Sequence, residues 1–422
     1  MACDPGGRAG SLAGIGPGCA KREGQQLQQG VPRTVVALGF VSLCMDTSSE
    51  LIHSLLPVFL VAGLGASPLA LGLIEGAAEC LASVMRVFSG ALSDRSGRRK
   101  PLILCGYGLA ALSKPLFPLA GSAAAVFAAR AIDRLGKGIR GAPRDALVAD
   151  VTPQASRGAA YGLRQALDTV GAVLGPALAI ALMYLLADDV RAVFWVATVP
   201  ALLAVAVLVL FVREPAAVRP RAATQRFRLD WLRPGAVPGG CRAVIALAML
   251  LALARVAEAF VLLRASQLGL ATALVPLVLI VMNVAYALSA WPAGACSDRF
   301  GRRPVLACGL GLLLLADLLL ARAAGPWTAL LGALVWGLHL GATQGLLAAL
   351  VADRAPAQAR GAAFGWLHLG TGLAAVLAGA LGGWLWTRFG AGAAYAAGAA
   401  CAALALVLLA ALPARDAALA LR

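Results

Sequence analysis

Long apolar runs set the first limit on what this chain can become. From Thr34 onward, stretches of about 18–25 residues with few charges follow one another almost to the end, which is the length an α-helix needs to cross a hydrocarbon core. Backbone amides in lipid find no water, so each run must satisfy its own hydrogen bonds as a helix. A transmembrane β-barrel would show short alternating segments instead. The chain is 60% hydrophobic and 13% charged, with a mean hydropathy of +0.83. The expected fold class is therefore all-α integral membrane.

The runs divide into twelve expected spans, at about 34–60, 67–92, 101–119, 123–140, 157–186, 190–212, 242–264, 271–294, 304–322, 326–351, 360–386 and 391–412. Residues 1–33 are rich in Gly, Gln and Ala and lack the apolar core of a signal peptide, so they read as a disordered cytoplasmic tail. Residues 213–241 break the pattern with six arginines, among them Arg213, Arg219 and Arg233, and read as a cytoplasmic linker. The organisation expected is a six-helix bundle at 34–212, a second at 242–412 and a basic tail at 413–422.

The formal net charge of +16 invites a nucleic-acid reading, but its placement argues against one. Arg95, Arg98, Arg99 and Lys100 share one short loop and Arg299, Arg302 and Arg303 another, while the turns near 63–66 and 120–122 carry no charge. That alternation is the positive-inside pattern, with the charged loops cytoplasmic. The nine cysteines form no CxxC pair and there are three histidines in all, so neither a metal site nor a disulfide framework is expected. No HExxH, GxSxG or Walker motif is present, and the chain does not read as an enzyme. No cofactor is expected.

The two halves repeat. LVADVTPQASRGAAYG at 147–162 and LVADRAPAQARGAAFG at 350–365 match at ten of sixteen positions, 203 residues apart. SDRSGRRKP and SDRFGRRP recur 204 apart, and Glu50 can be aligned with Glu258 at 208. A shared offset implies two six-helix halves related by a pseudo-two-fold axis along the membrane normal.

Charges inside the spans are costly and usually serve function. The first half holds Asp46, Glu50, His53, Glu75, Glu79, Arg86, Lys114, Arg130, Asp133, Arg134, Arg164 and Asp168, the second mainly Arg255, Glu258, His339 and His368. They should pair or face a cavity. Asp46 and Glu50, Glu75 and Glu79, and Arg164 and Asp168 are each four apart and share a helix face. Arg164 and Asp168 can satisfy each other. Two adjacent carboxylates resist ionising together, the behaviour a proton carrier needs. Lys114 stands mid-helix in a chain with four Lys against 32 Arg, and a buried Lys, unlike Arg, can give up its proton.

Three motifs now carry a resemblance, over roughly 34–412, to the major facilitator superfamily. The segment from Gly90 through Asp94, Arg95, Gly97, Arg98 and Arg99 resembles the family's loop 2–3 motif. Asp298, Arg299, Gly301, Arg302 and Arg303 are similar to its weaker copy in loop 8–9. Arg130 resembles the helix 4 motif, and Gly171, Gly175 and Pro176 the helix 5 motif associated with antiporters. The segment DRLGKGIRGAPRDAL also resembles a poorly characterised prokaryotic subgroup. Gly171 and Gly175 permit close helix contact.

The resemblance implies the twelve-helix fold, alternating access, and an Asp94 contact to the start of helix 11 that latches the cytoplasmic side. Asp145 is expected to pair with Arg98 in that gate. With helices 1 and 4 at the cavity, Asp46 and Glu50 are expected to exchange protons while Arg130 alternately pairs with them. The function implied is secondary active transport of a small solute, as proton-coupled efflux of a small organic or drug-like compound. The alternatives are uptake or uniport of a small organic anion or sugar, or a non-transporting membrane sensor. The partners implied are a small-molecule substrate, protons and membrane lipid, with no nucleic acid and a monomeric state. The place implied is the bacterial inner membrane, with both termini cytoplasmic.

Overall fold

The computed structural model describes residues 31–214, 239–355 and 360–411. The tails expected at 1–33 and 413–422 and the linker expected at 213–241 therefore fall largely outside the described residues. Within them the chain is helical, and no strand is present.

Twelve spans follow in order. They are α1 (Arg33–Val58, continued by a π-turn at Phe59–Gly63), α2 (Pro68–Ser96), α3 (Lys100–Ser113 and Leu116–Leu119), α4 (Ala123–Val151), α5 (Arg157–Leu185) and α6 (Val190–Val196 and Thr198–Phe211). The second set comprises α7 (Gly239–Ala254, then Glu258–Gln267), α8 (Leu277–Phe300), α9 (Arg302–Ala321), α10 (Pro326–Thr343 and Leu346–Arg354), α11 (Arg360–Phe389) and α12 (Ala391–Ala411). Ten of the spans are long and apolar enough to cross a membrane. The fourth misses that standard because it carries Arg130, Asp133, Arg134, Lys137 and Arg140. Large apolar side chains such as Leu112, Leu185, Leu210 and Leu288 stand exposed on the outer surfaces, as a lipid-facing belt requires.

Each half repeats one packing scheme. In the first, α1 packs on α5, α2 on α4, and α3 on α4 and α6. In the second, α7 packs on α11, α8 on α10, and α9 on α10 and α12. The expected close approach of α5 to α1 is present. A Cβ on Gly171 would lie 2.7 Å from the Leu43 carbonyl oxygen, and one on Gly175 2.6 Å from that of Thr47.

One expectation about α4 fails. The sequence places its end near Arg140, but the helix runs unbroken to Val151 with Pro143 inside it. Arg130, Arg134, Lys137 and Arg144 then recur at spacings of three and four and form one stripe. The basic segment is thus a continuation of the helix wall.

The halves meet at the end opposite the basic loops. There α2 and α11 touch backbone to backbone. A Cβ on Gly72 would overlap the Gly379 carbonyl, and one on Gly76 would lie 2.6 Å from that of Ala375. Phe260, in the second segment of α7, abuts Gly72, and its ring lies 5.2 Å from that of Trp386 on α11. Midway down, Asn283 Nδ2 on α8 donates to the Ala172 carbonyl on α5 at 3.1 Å.

Candidate substrate cavity and charge network

Between the halves, on the basic-loop side of the α2–α11 contact, lies a cavity of about 800 Å³. Of the residues singled out from the sequence, Asp46, Glu50, Asp145, Arg164, Asp168 and Glu258 line it. Its side nearest the basic loops includes Gln165 and Gln344, both exposed, and Asp145, whose side chain is 47% exposed. The cavity is therefore open toward the basic loops and closed at the other end.

Behind the cavity wall the first half holds a connected chain of ionisable groups. Glu50 Oε2 lies 3.4 Å from His53 Nδ1, and His53 Nε2 lies 3.8 Å from Glu75 Oε2. Arg130 Nη2 donates to that same Glu75 oxygen at 2.7 Å, and its Nη1 stands 4.0 Å from Asp133 Oδ2. Lys114 Nζ donates to Asp133 Oδ1 at 2.7 Å and to Ser49 Oγ at 2.9 Å. Arg130 and Lys114 are each 1% exposed. Four helices thus contribute to one network, which satisfies charges that would otherwise be prohibitive at depth.

This corrects the expected pairing of Arg130. Its carboxylate partner is Glu75 on α2, not Asp46 or Glu50 on α1. Glu79, one turn along α2, is 52% exposed and only 4.0 Å from Arg134, so Glu75 and Glu79 do not act as a pair. The reason is rotational: Glu75 faces α4 at the buried seam and Glu79 faces outward.

Arg164 and Asp168 do satisfy each other, at 2.6 Å. Asp145 joins them rather than Arg98: Arg144 Nε donates to its Oδ1 at 3.3 Å, and Arg164 Nε lies 3.8 Å from that oxygen. Arg144 also donates to Ser42 Oγ at 2.9 Å. Arg140 lies 4.5 Å over the Tyr107 ring. Reading the sequence for charges within isolated spans missed Lys137, Arg140 and Arg144 as cavity residues. The signal was there in their helical spacing after Arg130.

Arg255 does not line the cavity. It sits in the break of α7, where its Nε donates to His339 Nε2 at 3.0 Å and its Nη2 to Thr343 Oγ1 at 2.6 Å. His339 Nδ1 lies 2.7 Å from the Gly309 carbonyl oxygen. That oxygen can only accept, so Nδ1 carries the proton and Nε2 receives the arginine.

The loop motifs form matching braces at the open end. Arg99 bonds Asp150, and Arg302 pairs with Asp353, the equivalent residues of the two repeats. Arg99 also donates to Ser93 Oγ at 3.0 Å and to Asp94 Oδ1 at 3.3 Å. The Glu214 carboxylate, not singled out from the sequence, accepts the backbone N–H groups of Arg99 and Lys100 where α3 begins, as the positive end of a helix favours. Arg303 Nη2 donates to the Leu409 and Ala410 carbonyls, each at 2.7 Å, at the end of α12. Gly97 closes α2 with φ 61°, a conformation glycine adopts without strain. Asp94 is 76% exposed, and the partner it is bonded to is Arg99 within its own half. The expected contact at the start of α11 involves side chains outside the described residues. Among the described residues no group of His, Cys, Asp or Glu has the makings of a metal site.

Twelve membrane helices in two equivalent bundles, with a charged cavity between them that is closed at one end, define a secondary transporter. The family model of the Major Facilitator Superfamily matches residues 38–263 and 242–420, and the chain belongs to that family. It is 28% identical over 360 residues to an uncharacterized MFS-type transporter of Methanocaldococcus jannaschii, covering 84% of this chain and 88% of that one. An uncharacterized protein of Mycobacterium tuberculosis is 30% identical over 373 residues, covering 84% and 87%. The multidrug resistance protein MdtH of Edwardsiella ictaluri is 30% identical over 165 residues, covering 39% and 38%. Among solved structures, the human organic anion transporter MFSD10 superposes with a TM-score of 0.67 at 22% identity, covering 90% of this chain and 100% of that one. A D-xylose-proton symporter does so at 0.70 and 20%, covering 89% and 96%. These two likenesses establish the fold.

Proposed function

We propose that the chain is a proton-coupled exporter of small organic solutes, working by alternating access. The observation that carries this reading is the chain of groups from cavity-lining Glu50 through His53, Glu75, Arg130 and Asp133 to Lys114. A proton taken up by Glu50 weakens its hold on His53, and the change passes to Glu75 and Arg130 by re-pairing. Coupling of this kind requires partners with two arrangements of similar energy, and a shared carboxylate oxygen on Glu75 provides them. Efflux is supported by the MdtH likeness over the part it covers and by the Gly171, Gly175 and Pro176 motif.

The cavity wall carries both signs. Arg86, Lys137 and Arg140 stand with Asp46 and Glu258 around the same space, which suits a solute with an anionic group beside a cationic or polar one. The cations Arg86, Lys137 and Arg140 also favour the second reading, uptake of a small organic anion. On the positive-inside pattern the open end is cytoplasmic, in a bacterial inner membrane with both termini inside, and the transporter acts as a monomer.

The test is transport in everted vesicles with a panel of zwitterionic and anionic solutes. Export coupled to protons alkalinises the lumen as solute enters, and Glu50→Gln abolishes that change. Solute entry with no lumenal pH change in the wild type would sink the proton-coupled reading.

A further inference from the structure

Outside the cavity, the second bundle holds one ionisable group that no pairing explains. Asp317 lies one turn before the end of α9, is 0% exposed, and neither carboxyl oxygen has a hydrogen-bond partner. Sequence reading passed over it, because a single Asp in a leucine run shows no partner at helical spacing. On α12, Tyr395 is likewise 0% exposed with its hydroxyl unpartnered, and it is close enough to Asp317 for their charges to interact.

A third oxygen faces the same point. The position that a Cβ on Gly398 would occupy is 2.8 Å from Asp317 Oδ2 and 2.9 Å from the Ala254 carbonyl oxygen. Ala254 ends the first segment of α7, and the break leaves its carbonyl with only the short-range N–H of Val256, at 3.0 Å. A carbonyl has two lone pairs, so one remains available. The absent side chain at Gly398 is what keeps the space between these oxygens clear.

The neighbouring charges do not neutralise Asp317. From the second segment of α7, Arg264 spends its guanidinium on the Leu320 and Ala323 carbonyls at the end of α9, at 3.3 and 2.9 Å. From α12 come Tyr395 and Cys401, neither cationic. From α10, His339 meets α9 at Gly309, two turns away. A bare carboxylate without a counter-charge at this burial would cost far more than a bundle can bear, so a positive charge must accompany it.

We propose that Asp317, Tyr395 and the Ala254 carbonyl form a buried cation-binding site in the second bundle, which takes a proton or, in its place, a dehydrated alkali cation. An all-oxygen donor set suits a hard cation of either kind. The site uses none of the cavity residues, so it stands apart from the transport reading above. Its link to the cavity is the break in α7, which places Ala254 at the site, Arg255 on His339, and Glu258 in the cavity wall.

The experiment uses the purified full-length protein in detergent, with infrared spectroscopy and thermal unfolding, at neutral pH with and without sodium chloride against choline chloride. A neutral-carboxyl carbonyl band that sodium does not alter and Asp317→Asn removes identifies a proton. A rise in melting temperature with sodium that Asp317→Asn and Gly398→Ala both abolish identifies an alkali cation, since the added methyl fills the space. Neither signal in the wild type overturns the proposal. Should Asp317→Asn fail to fold, Tyr395→Phe serves instead. It shifts the carboxyl band or weakens sodium affinity about tenfold, and a variant with both readouts unchanged removes Tyr395 from the site and overturns the proposal as stated.

Discussion

Arg130 on α4 donates to Glu75 on α2 at 2.7 Å, with both side chains buried in the first bundle. Removing either partner strands the other at membrane depth. Arg130→Gln is expected to lower stability by about 3–5 kcal/mol, the scale for breaking a buried ion pair from one side. Glu75→Gln combined with Arg130→Met should recover most of that loss in thermal unfolding, yet transport should stay absent. Recovery of transport in the double variant would show the pair to be structural only.

Lys114 bonds both Asp133 and Ser49, so it joins α3 to α4 and α1. Lys114→Arg keeps the charge but cannot release a proton at working pH. The variant should fold and bind solute while losing at least about tenfold in pH-driven flux, a barrier change near 1.4 kcal/mol. Equal flux in both proteins would rule out a titrating lysine.

The α2–α11 seam depends on the absence of side chains. Gly72→Val pushes a branched side chain into the Gly379 backbone, so the closed end should open. Spin labels at Ser67 and Arg388, on the closed side, should report a longer distance than in the wild type by electron double resonance. An unchanged distance would mean that the seam absorbs the extra volume.

Arg99 and Arg302 make equivalent braces, to Asp150 and Asp353, at the open end. The Arg99 side chain is 18% exposed and its counterpart 30%, and Arg99 has additional partners in Ser93 and Asp94. Arg302→Ala should cost no more than about 1 kcal/mol, as for a partly exposed pair. Arg99→Ala should cost clearly more. Thermal unfolding of the two variants side by side checks the order.

Much of this architecture was readable before any coordinates. Length and hydropathy mark each span because lipid leaves backbone groups no other partner. The repeat fixes the two halves, and the Arg99–Asp150 and Arg302–Asp353 braces fall on equivalent positions of it. Charge pairs inside one helix, such as Arg164 with Asp168, follow from spacing alone. Pairs between helices do not. Whether Arg130 meets Glu50 or Glu75 depends on the rotation of α2 and α1 about their axes, which a few degrees decide. The extent of α4 was hidden by its own charges, since a polar stripe along a cavity has the composition of a loop. Asp317 was hidden by its isolation.

The contact that shuts the cavity is made by Gly72, Gly76, Ala375 and Gly379, and none of them can ionise. Neither acidity nor the electrical potential across the bilayer acts directly on such a joint. The energy that parts it must be delivered mechanically, by helices whose charged segments lie elsewhere. The lock is blind to the driving force, and this lets one closure serve every stage of the cycle in which the cavity is loaded, empty or re-protonated.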